Sequence, residues 1–143
     1  MARRAGGRVS PIRRTTFRLL APFLGLGLFT AWRTRHTARC YPPAGRLLDV
    51  GDTAVHVVER GRGKPVVLLH GLRGSTRDFE HSIIDALAAR YHVLAVDRPG
   101  YGHSTRPRED LGSPLKQAEL LHRTLARLGV HRPLLVGHSM GAA

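Results

Sequence analysis

The sequence after residue 45 predicts an α/β fold with a mostly parallel sheet and helices on both of its faces. Short continuous apolar runs, of the kind that strands buried on both faces require, occur at Val66–Leu69, His92–Val96 and Leu134–Val136. Both intervals between these runs carry a helical pattern. Strands that alternate with helices form parallel sheets, because each helix returns the chain across one face of the sheet.

Two β-rich segments precede the first apolar run. Arg46–Val50 and Ala54–Glu59 are joined by Gly51-Asp52-Thr53, and this arrangement predicts a β-hairpin. The stretch 61–65, with two glycines and a proline, predicts a turn into the strand Val66–Leu69.

The first interval predicts a single helix that is capped by Thr76 or Asp78 and continues to about Ala89. Its inner face is expected to carry four apolar residues: Phe79, Ile83, Ile84 and Leu87.

The second interval predicts a loop as far as Gly112, followed by a helix. Ser113 is expected to cap this helix, Pro114 takes its first position, and Gly129 ends it. Five apolar residues recur at every third or fourth position and predict its buried stripe: Leu115, Ala118, Leu121, Leu125 and Leu128.

Charge divides the chain into two parts. The 143 residues are 42% hydrophobic, which is typical of a folded protein, and they carry a net charge of +13. The first 40 residues hold nine arginines and no acidic residue, whereas the other 103 hold 14 basic and 10 acidic residues. We therefore predict a basic, apolar leader at 1–45 and a domain at 46–143. No nucleic-acid partner is expected, because the chain has no nucleic-acid-binding motif and only 6% aromatic residues.

The leader contains the charge-free stretch Leu19–Trp32. As a helix it would be about 21 Å long, shorter than the ~30 Å hydrocarbon core of a bilayer, and Pro22, Gly25 and Gly27 weaken the helix. A signal-peptide core fits this length, but no small-residue cleavage site follows. Three hypotheses stay open. We favour a short uncleaved membrane anchor that uses residues 13–39. The others are a helix lying on anionic lipid, and a poorly ordered extension without a membrane role in a cytoplasmic protein.

Cysteine and histidine give no sign of a disulfide, metal site or cofactor. Cys40 is the only cysteine, so no intrachain disulfide can form. The nine histidines show no metal-binding spacing such as H-E-x-x-H. We expect neither a metal nor a cofactor.

A serine between two glycines follows the third apolar run. Gly137-His138-Ser139-Met140-Gly141 matches G-x-S-x-G, a sharp turn between a strand and a helix that exposes the serine hydroxyl. Gly141-Ala142-Ala143 is expected to begin that helix. His70-Gly71-Leu72 leaves the carboxyl end of another predicted strand, where its amides can point toward the serine. The sequence therefore predicts a nucleophilic site at the carboxyl ends of the strands.

Three motifs in order, PVVLLHG, DRPGYGHS and VGHSMG, resemble the first half of an α/β-hydrolase over about residues 46–143. The match is closest to the lipases, esterases and related serine hydrolases. The resemblance implies an α/β-hydrolase fold in which Ser139 is the nucleophile. It also implies that the backbone N–H groups of Leu72 and Met140 form the oxyanion hole, while His70-Gly71 shapes the loop.

The resemblance further implies that Asp97 and Arg98 are structural or rim residues, and that the substrate is a small acyl compound or ester. Serine rather than aspartate at position 139 argues against the haloalkane dehalogenases and epoxide hydrolases of the family. Other relatives with a serine cleave carbon–carbon bonds or make peracids, so ester cleavage is one of several acyl chemistries that the resemblance allows.

The resemblance places the catalytic acid and histidine after later strands, whereas the chain ends four residues after Ser139. We therefore expect a fragment truncated after the nucleophile elbow, marginally stable and inactive alone. Robust turnover of p-nitrophenyl acetate, abolished by Ser139→Ala, would refute this expectation. A second hypothesis stays open: a basic module whose leader binds anionic membranes or nucleic acid, with a non-catalytic hydrolase-like body.

Overall fold

The computed structural model describes residues 11–107 and 113–143, with side chains from residue 22 onward. The chain forms two compact units, Met1–Pro42 and Pro43–Ala143. Part of the predicted leader, at 1–10, and the end of the predicted loop, at 108–112, lie outside the described residues.

The first unit contains the long helix α1 (Pro11–Cys40), whose 30 residues extend well beyond the charge-free stretch at both ends. Pro22 removes one backbone hydrogen bond without ending the helix. None of the helices in the described part of the chain has both the length and the hydropathy needed to cross a bilayer.

The second unit is built on five strands: β1 (Arg46–Asp49), β2 (Ala54–Arg60), β3 (Lys64–Leu69), β4 (Tyr91–Val96) and β5 (Leu134–Gly137). Their order in the sheet is β1-β2-β4-β3-β5. The predicted hairpin pairs β1 with β2, and β2 also runs antiparallel to β4. The three strands from the apolar runs are parallel, with β3 between β4 and β5. The predicted α/β class is therefore confirmed, with an antiparallel hairpin added at one edge.

Helices cover both faces of this sheet, as predicted. Successive residues of the central strands, such as Val66 and Val67, belong to two separate cores on opposite faces of the sheet. On one face Val67 and Leu94 pack with Leu120 and Leu125 of helix α4 (Pro114–Arg127). On the other face the core includes residues of the short helices α2 (Arg77–Glu80) and α3 (Ile84–Ala88).

The prediction of one helix from Thr76 or Asp78 to Ala89 was wrong, since a turn separates α2 from α3. Of the two predicted caps, Thr76 stands at the N-cap position of helix α2 but makes no side-chain capping hydrogen bond, and Asp78 lies within the helix. The Ser82 hydroxyl donates to the Asp78 carbonyl oxygen at 2.7 Å, a local bond that favours turns over continuing helix. Phe79 and Ile84 are buried as expected, but Ile83 is exposed because it lies in the turn.

Helix α4 begins and ends close to the predicted residues, but its buried face was only partly correct. Leu115 is 69% exposed, whereas Leu120 and Thr124 are buried. Thr124 can be buried because its hydroxyl donates to the Leu120 carbonyl oxygen at 2.8 Å. Ser113 stands at the N-cap position but makes no side-chain capping bond.

Strand β5 was expected to be buried and is exposed instead, with Leu134 63% and Leu135 55% accessible. Only β3 pairs with it among the described residues. A helix expected to begin at Gly141 is, within the described chain, a single 3₁₀ turn at Ser139–Ala142.

Candidate active site

The turn after β5 holds Ser139 in an unusual backbone conformation. Its φ is +52°, a left-handed value that it shares with only two other non-glycine residues of the described chain, Arg73 and Arg132. Such a conformation costs about 1–2 kcal/mol for an L-residue and persists only where the surroundings impose it.

Two glycines allow this turn to pack against its neighbours. A Cβ on Gly137 would collide with the backbone of Gly141 and Ala142. A Cβ on Gly141 would collide with the carbonyl oxygens of Leu69 and His70, where β3 ends. The pattern G-x-S-x-G is therefore required here by close backbone approach on both sides of the serine.

The loop after β3 passes directly beside the serine. A Cβ added to Gly71 would lie 3.0 Å from His138 Nδ1 and 3.3 Å from Ser139 Cβ. The next residue, Leu72, has an exposed side chain, as has Met140 after the serine. Within the described chain neither the Leu72 nor the Met140 backbone N–H donates a hydrogen bond to another residue. The structure thus brings together two segments that the sequence separates by 67 residues.

His70 supports this loop from inside the protein. Its Nε2 accepts the Arg98 backbone N–H at 2.9 Å, so the ring proton is assigned to Nδ1, which donates to the Gly71 carbonyl oxygen at 2.8 Å. Burial lowers the pKa of His70 below its ordinary value near 6.5. The ring is fully buried and both of its nitrogens have partners, so it cannot take a proton from Ser139.

We expect His70 to make stability depend on pH. Because its pKa is lower in the folded state, the unfolded chain binds more protons as the pH falls below about 6.5, and folding weakens. The free energy of unfolding should fall by at most about 1.4 kcal/mol for each pH unit between 6.5 and the folded pKa. Urea unfolding at a series of pH values measures this slope, with exposed His131→Gln as the control. His70→Gln should flatten the slope, and an unchanged slope would contradict the assignment.

Arg98 ties the same loop to the segment after β4. Its guanidinium donates from Nη2 to the Gly71 carbonyl oxygen at 2.9 Å and lies over the Tyr101 ring, 4.8 Å from the centroid. A second hydrogen bond joins Nη1 to Gln117 Oε1 at 3.3 Å. The side chain is 93% buried, so Arg98 acts as an internal brace of the Gly71 backbone.

Asp97, also buried, is the centre of a hydrogen-bond network. Its Oδ2 accepts the His56 Nδ1–H at 2.8 Å and the His103 N–H at 2.9 Å, while Oδ1 accepts the Thr76 N–H at 2.7 Å. Burial alone would raise the pKa of Asp97, but these hydrogen bonds outweigh it and hold the pKa below its ordinary value. The network fixes Thr76, six residues after His70, relative to the strands β2 and β4.

The role of His56 was not predicted from the sequence. His56 lies 41 residues from Asp97, and its Nε2 accepts the Gly45 backbone N–H at 3.1 Å. The one available signal was a histidine inside the valine-rich strand AVHVV, where burial requires partners for both ring nitrogens.

Within residues 11–107 and 113–143, no histidine is hydrogen-bonded to the Ser139 hydroxyl. His138 Nδ1 lies against Gly71. No group of three His, Cys, Asp or Glu residues in the same ranges could hold a metal ion.

A cavity of about 340 Å³ lies between α4 and the turn. Its walls include Leu121, Thr124, Leu135 and Met140, but not Ser139. The cavity therefore lies on the α4 side of the sheet, beside the turn that carries the serine.

Comparison with known proteins gives consistent results. A profile of the alpha/beta hydrolase fold matches residues 64–143. Epoxide hydrolase A of Mycobacterium tuberculosis is 38% identical over 109 residues, which cover 70% of this chain and 32% of that protein.

Two solved structures extend the comparison. Cfl2 from Burkholderia cenocepacia superposes with a TM-score of 0.64 and 33% identity, covering 68% of this chain and 33% of that one. A membrane phospholipase A, described as a bacterial virulence factor, gives a TM-score of 0.64 at 28% identity and covers 91% of this chain and 44% of that one. The chain thus spans about one third of the length of the curated relatives that it matches.

Proposed function

The chain belongs to the alpha/beta hydrolase fold family, and we propose that the complete protein is a serine hydrolase that cleaves carboxylic or lipid-like esters through an acyl-serine at Ser139. The observation that carries this proposal is the left-handed conformation of Ser139 between two glycines at the end of β5. Such a turn presents a hydroxyl above the sheet, where a substrate carbonyl can reach it.

The proposed reaction forms and breaks two bonds to the acyl carbon. Ser139 Oγ attacks the carbonyl carbon and its proton passes to a base; the ester C–O bond then breaks, and the leaving alcohol takes that proton. Water hydrolyses the acyl-serine by the same route and restores the hydroxyl. The steps need no metal or cofactor.

The negative charge that develops on the carbonyl oxygen must be stabilised by hydrogen-bond donors that are already oriented toward it. We assign this role to the backbone N–H groups of Leu72 and Met140, which flank the serine and have no partners among the described residues. A donor of this kind contributes about 2.7–4 kcal/mol to transition-state stabilisation. His70 and Arg98 position the loop, since both bond to the Gly71 carbonyl oxygen beside Leu72.

The base must come from elsewhere. His70 is blocked on both ring nitrogens, and His138 is packed against Gly71. We propose that the complete protein supplies a histidine and an acid from residues that follow Ala143, in line with the longer relatives.

Two observations favour an ester over an epoxide. Position 139 is serine, whereas the expectation for epoxide hydrolases and haloalkane dehalogenases is an aspartate at this turn. The similarity to a membrane phospholipase A covers 91% of this chain, a share that must include part of the first unit. That similarity supports an acyl ester of lipid type as the substrate class.

Labelling with a fluorophosphonate tests the proposal. The protein expressed from its complete coding sequence should take up one phosphonyl group on the peptide that contains Ser139, and mass spectrometry identifies that peptide. Ser139→Ala should abolish the adduct, whereas Ser82→Ala, at another exposed serine, should leave it unchanged. Hydrolysis of esters or epoxides by a protein that takes no label at Ser139 would overturn the proposal.

A further inference from the structure

Helix α1 exposes a band of large apolar side chains. Six of them are more than half accessible: Phe23, Leu24, Leu26, Leu28, Phe29 and Trp32. Successive residues of a helix are rotated by about 100°, so these side chains lie on all sides of the helix rather than on one face. A surface that is apolar on every side suits a surrounding apolar medium better than a groove on another protein.

Positive charge follows directly on this band. Arg33, Arg35 and Arg39 occupy the last two turns of α1, and the whole segment 1–40 contains nine arginines without an acidic residue. A single sign of charge next to an apolar band matches the surface of a bilayer with anionic headgroups.

The polar groups near the band are satisfied within the helix. The Thr30 hydroxyl donates to the Leu26 carbonyl oxygen at 2.8 Å, and the Thr34 hydroxyl donates to the Thr30 carbonyl oxygen at 2.9 Å. Hydroxyls bonded in this way can leave water without the cost of an unmade hydrogen bond.

Aromatic rings mark the junction between the apolar band and the arginines. Trp32 stacks on His36 with centroids 5.5 Å apart and contacts Phe29 at 6.1 Å. The Arg33 guanidinium lies 6.0 Å from the Phe29 centroid. Tryptophan at such a junction is favoured at membrane interfaces, where its ring lies at headgroup depth.

We propose that residues 23–39 of α1 dock on a membrane containing anionic lipid, with the apolar band among the acyl chains and the arginines at the phosphates. Ten residues from Phe23 to Trp32 extend about 15 Å as a helix, about half of the ~30 Å hydrocarbon core, so the band is too short to cross the bilayer. This proposal is independent of the chemistry at Ser139.

Vesicle binding tests the proposal on the full chain. Trp32 is the only tryptophan among the 143 residues, so the emission of this chain reports directly on the helix. With vesicles of phosphatidylcholine mixed with phosphatidylglycerol, we expect co-sedimentation and a shift of emission to shorter wavelength. Replacing Arg33, Arg35 and Arg39 together by Gln should lower the partition coefficient roughly fivefold per charge, about 100-fold in all. As the matched control, replacing the exposed Arg62, Arg90 and Arg132 together by Gln should leave vesicle binding equal to that of the parent.

Leu24→Asn combined with Leu28→Asn should abolish the emission shift while leaving weak, salt-sensitive sedimentation. Ser139→Ala should bind vesicles like the parent, so failure of the esterase proposal would not affect this result. Equal binding to phosphatidylcholine alone would overturn the role of the arginines. Tight binding to duplex DNA, or self-association through α1, with no emission shift on vesicles would overturn the proposal altogether.

Discussion

Ser139→Ala is expected to lower kcat for ester hydrolysis by the complete protein at least about 10⁴-fold, with little change in KM. Removing the hydroxyl removes the acyl-serine route, while the Leu72 and Met140 amides and the substrate contacts remain. The residual rate should therefore stay above that of water alone. Steady-state kinetics with a p-nitrophenyl ester measures both constants, and a kcat within tenfold of the parent would exclude Ser139 as the nucleophile.

Stability separates this chemical effect from misfolding. Alanine at a φ of +52° carries the same backbone strain as serine, so Ser139→Ala should change the free energy of unfolding by less than about 0.5 kcal/mol. Ser139→Gly relieves that strain and should stabilise the protein by about 1 kcal/mol while abolishing activity. A stabilised but inactive glycine variant would show that the strain is retained for function.

Most of the fold was predictable because its signals are local. The apolar runs of β3 and β4 and the turn at Gly51 identify their strands without knowledge of the rest of the chain. Two of the errors arose where polar side chains altered local structure. Ser82 bonds to a preceding carbonyl in the turn between α2 and α3, and Thr124 is buried by bonding within its own helix. Periodicity of apolar residues detects neither arrangement.

The positions of the two backbone segments that form the candidate site were predictable from the sequence, but the side-chain hydrogen bonds that hold them were not. The motif around Ser139 and the loop at His70-Gly71 follow from sequence order, since each comes at the carboxyl end of a parallel strand. The contacts of Arg98 with Gly71 and of His56 with Asp97 join residues 27 and 41 positions apart. Those pairings depend on the register of several strands, which a single sequence does not specify.

The Asp97 network predicts a second large effect, this time on stability. All three groups that face its carboxylate are donors: the His56 Nδ1–H, the His103 N–H and the Thr76 N–H. An asparagine cannot accept from all three, because in either orientation its NH₂ group faces at least one of these donors. His56 cannot adapt by moving its proton, since its Nε2 must accept the Gly45 N–H.

Asp97→Asn should therefore lower the free energy of unfolding of the complete protein by about 1–3 kcal/mol, the cost of leaving a buried donor without its charged acceptor. Urea unfolding monitored by circular dichroism measures the change, and Asp52→Asn in the exposed hairpin turn is the control, which should stay within about 0.5 kcal/mol of the parent. A double-mutant cycle with His56→Gln should show coupling of about 1–3 kcal/mol, because each substitution removes the same bond. Additive effects would show that the His56–Asp97 hydrogen bond contributes no coupling energy of its own. The destabilisation by Asp97→Asn would then come from the His103 and Thr76 backbone N–H groups that the carboxylate accepts.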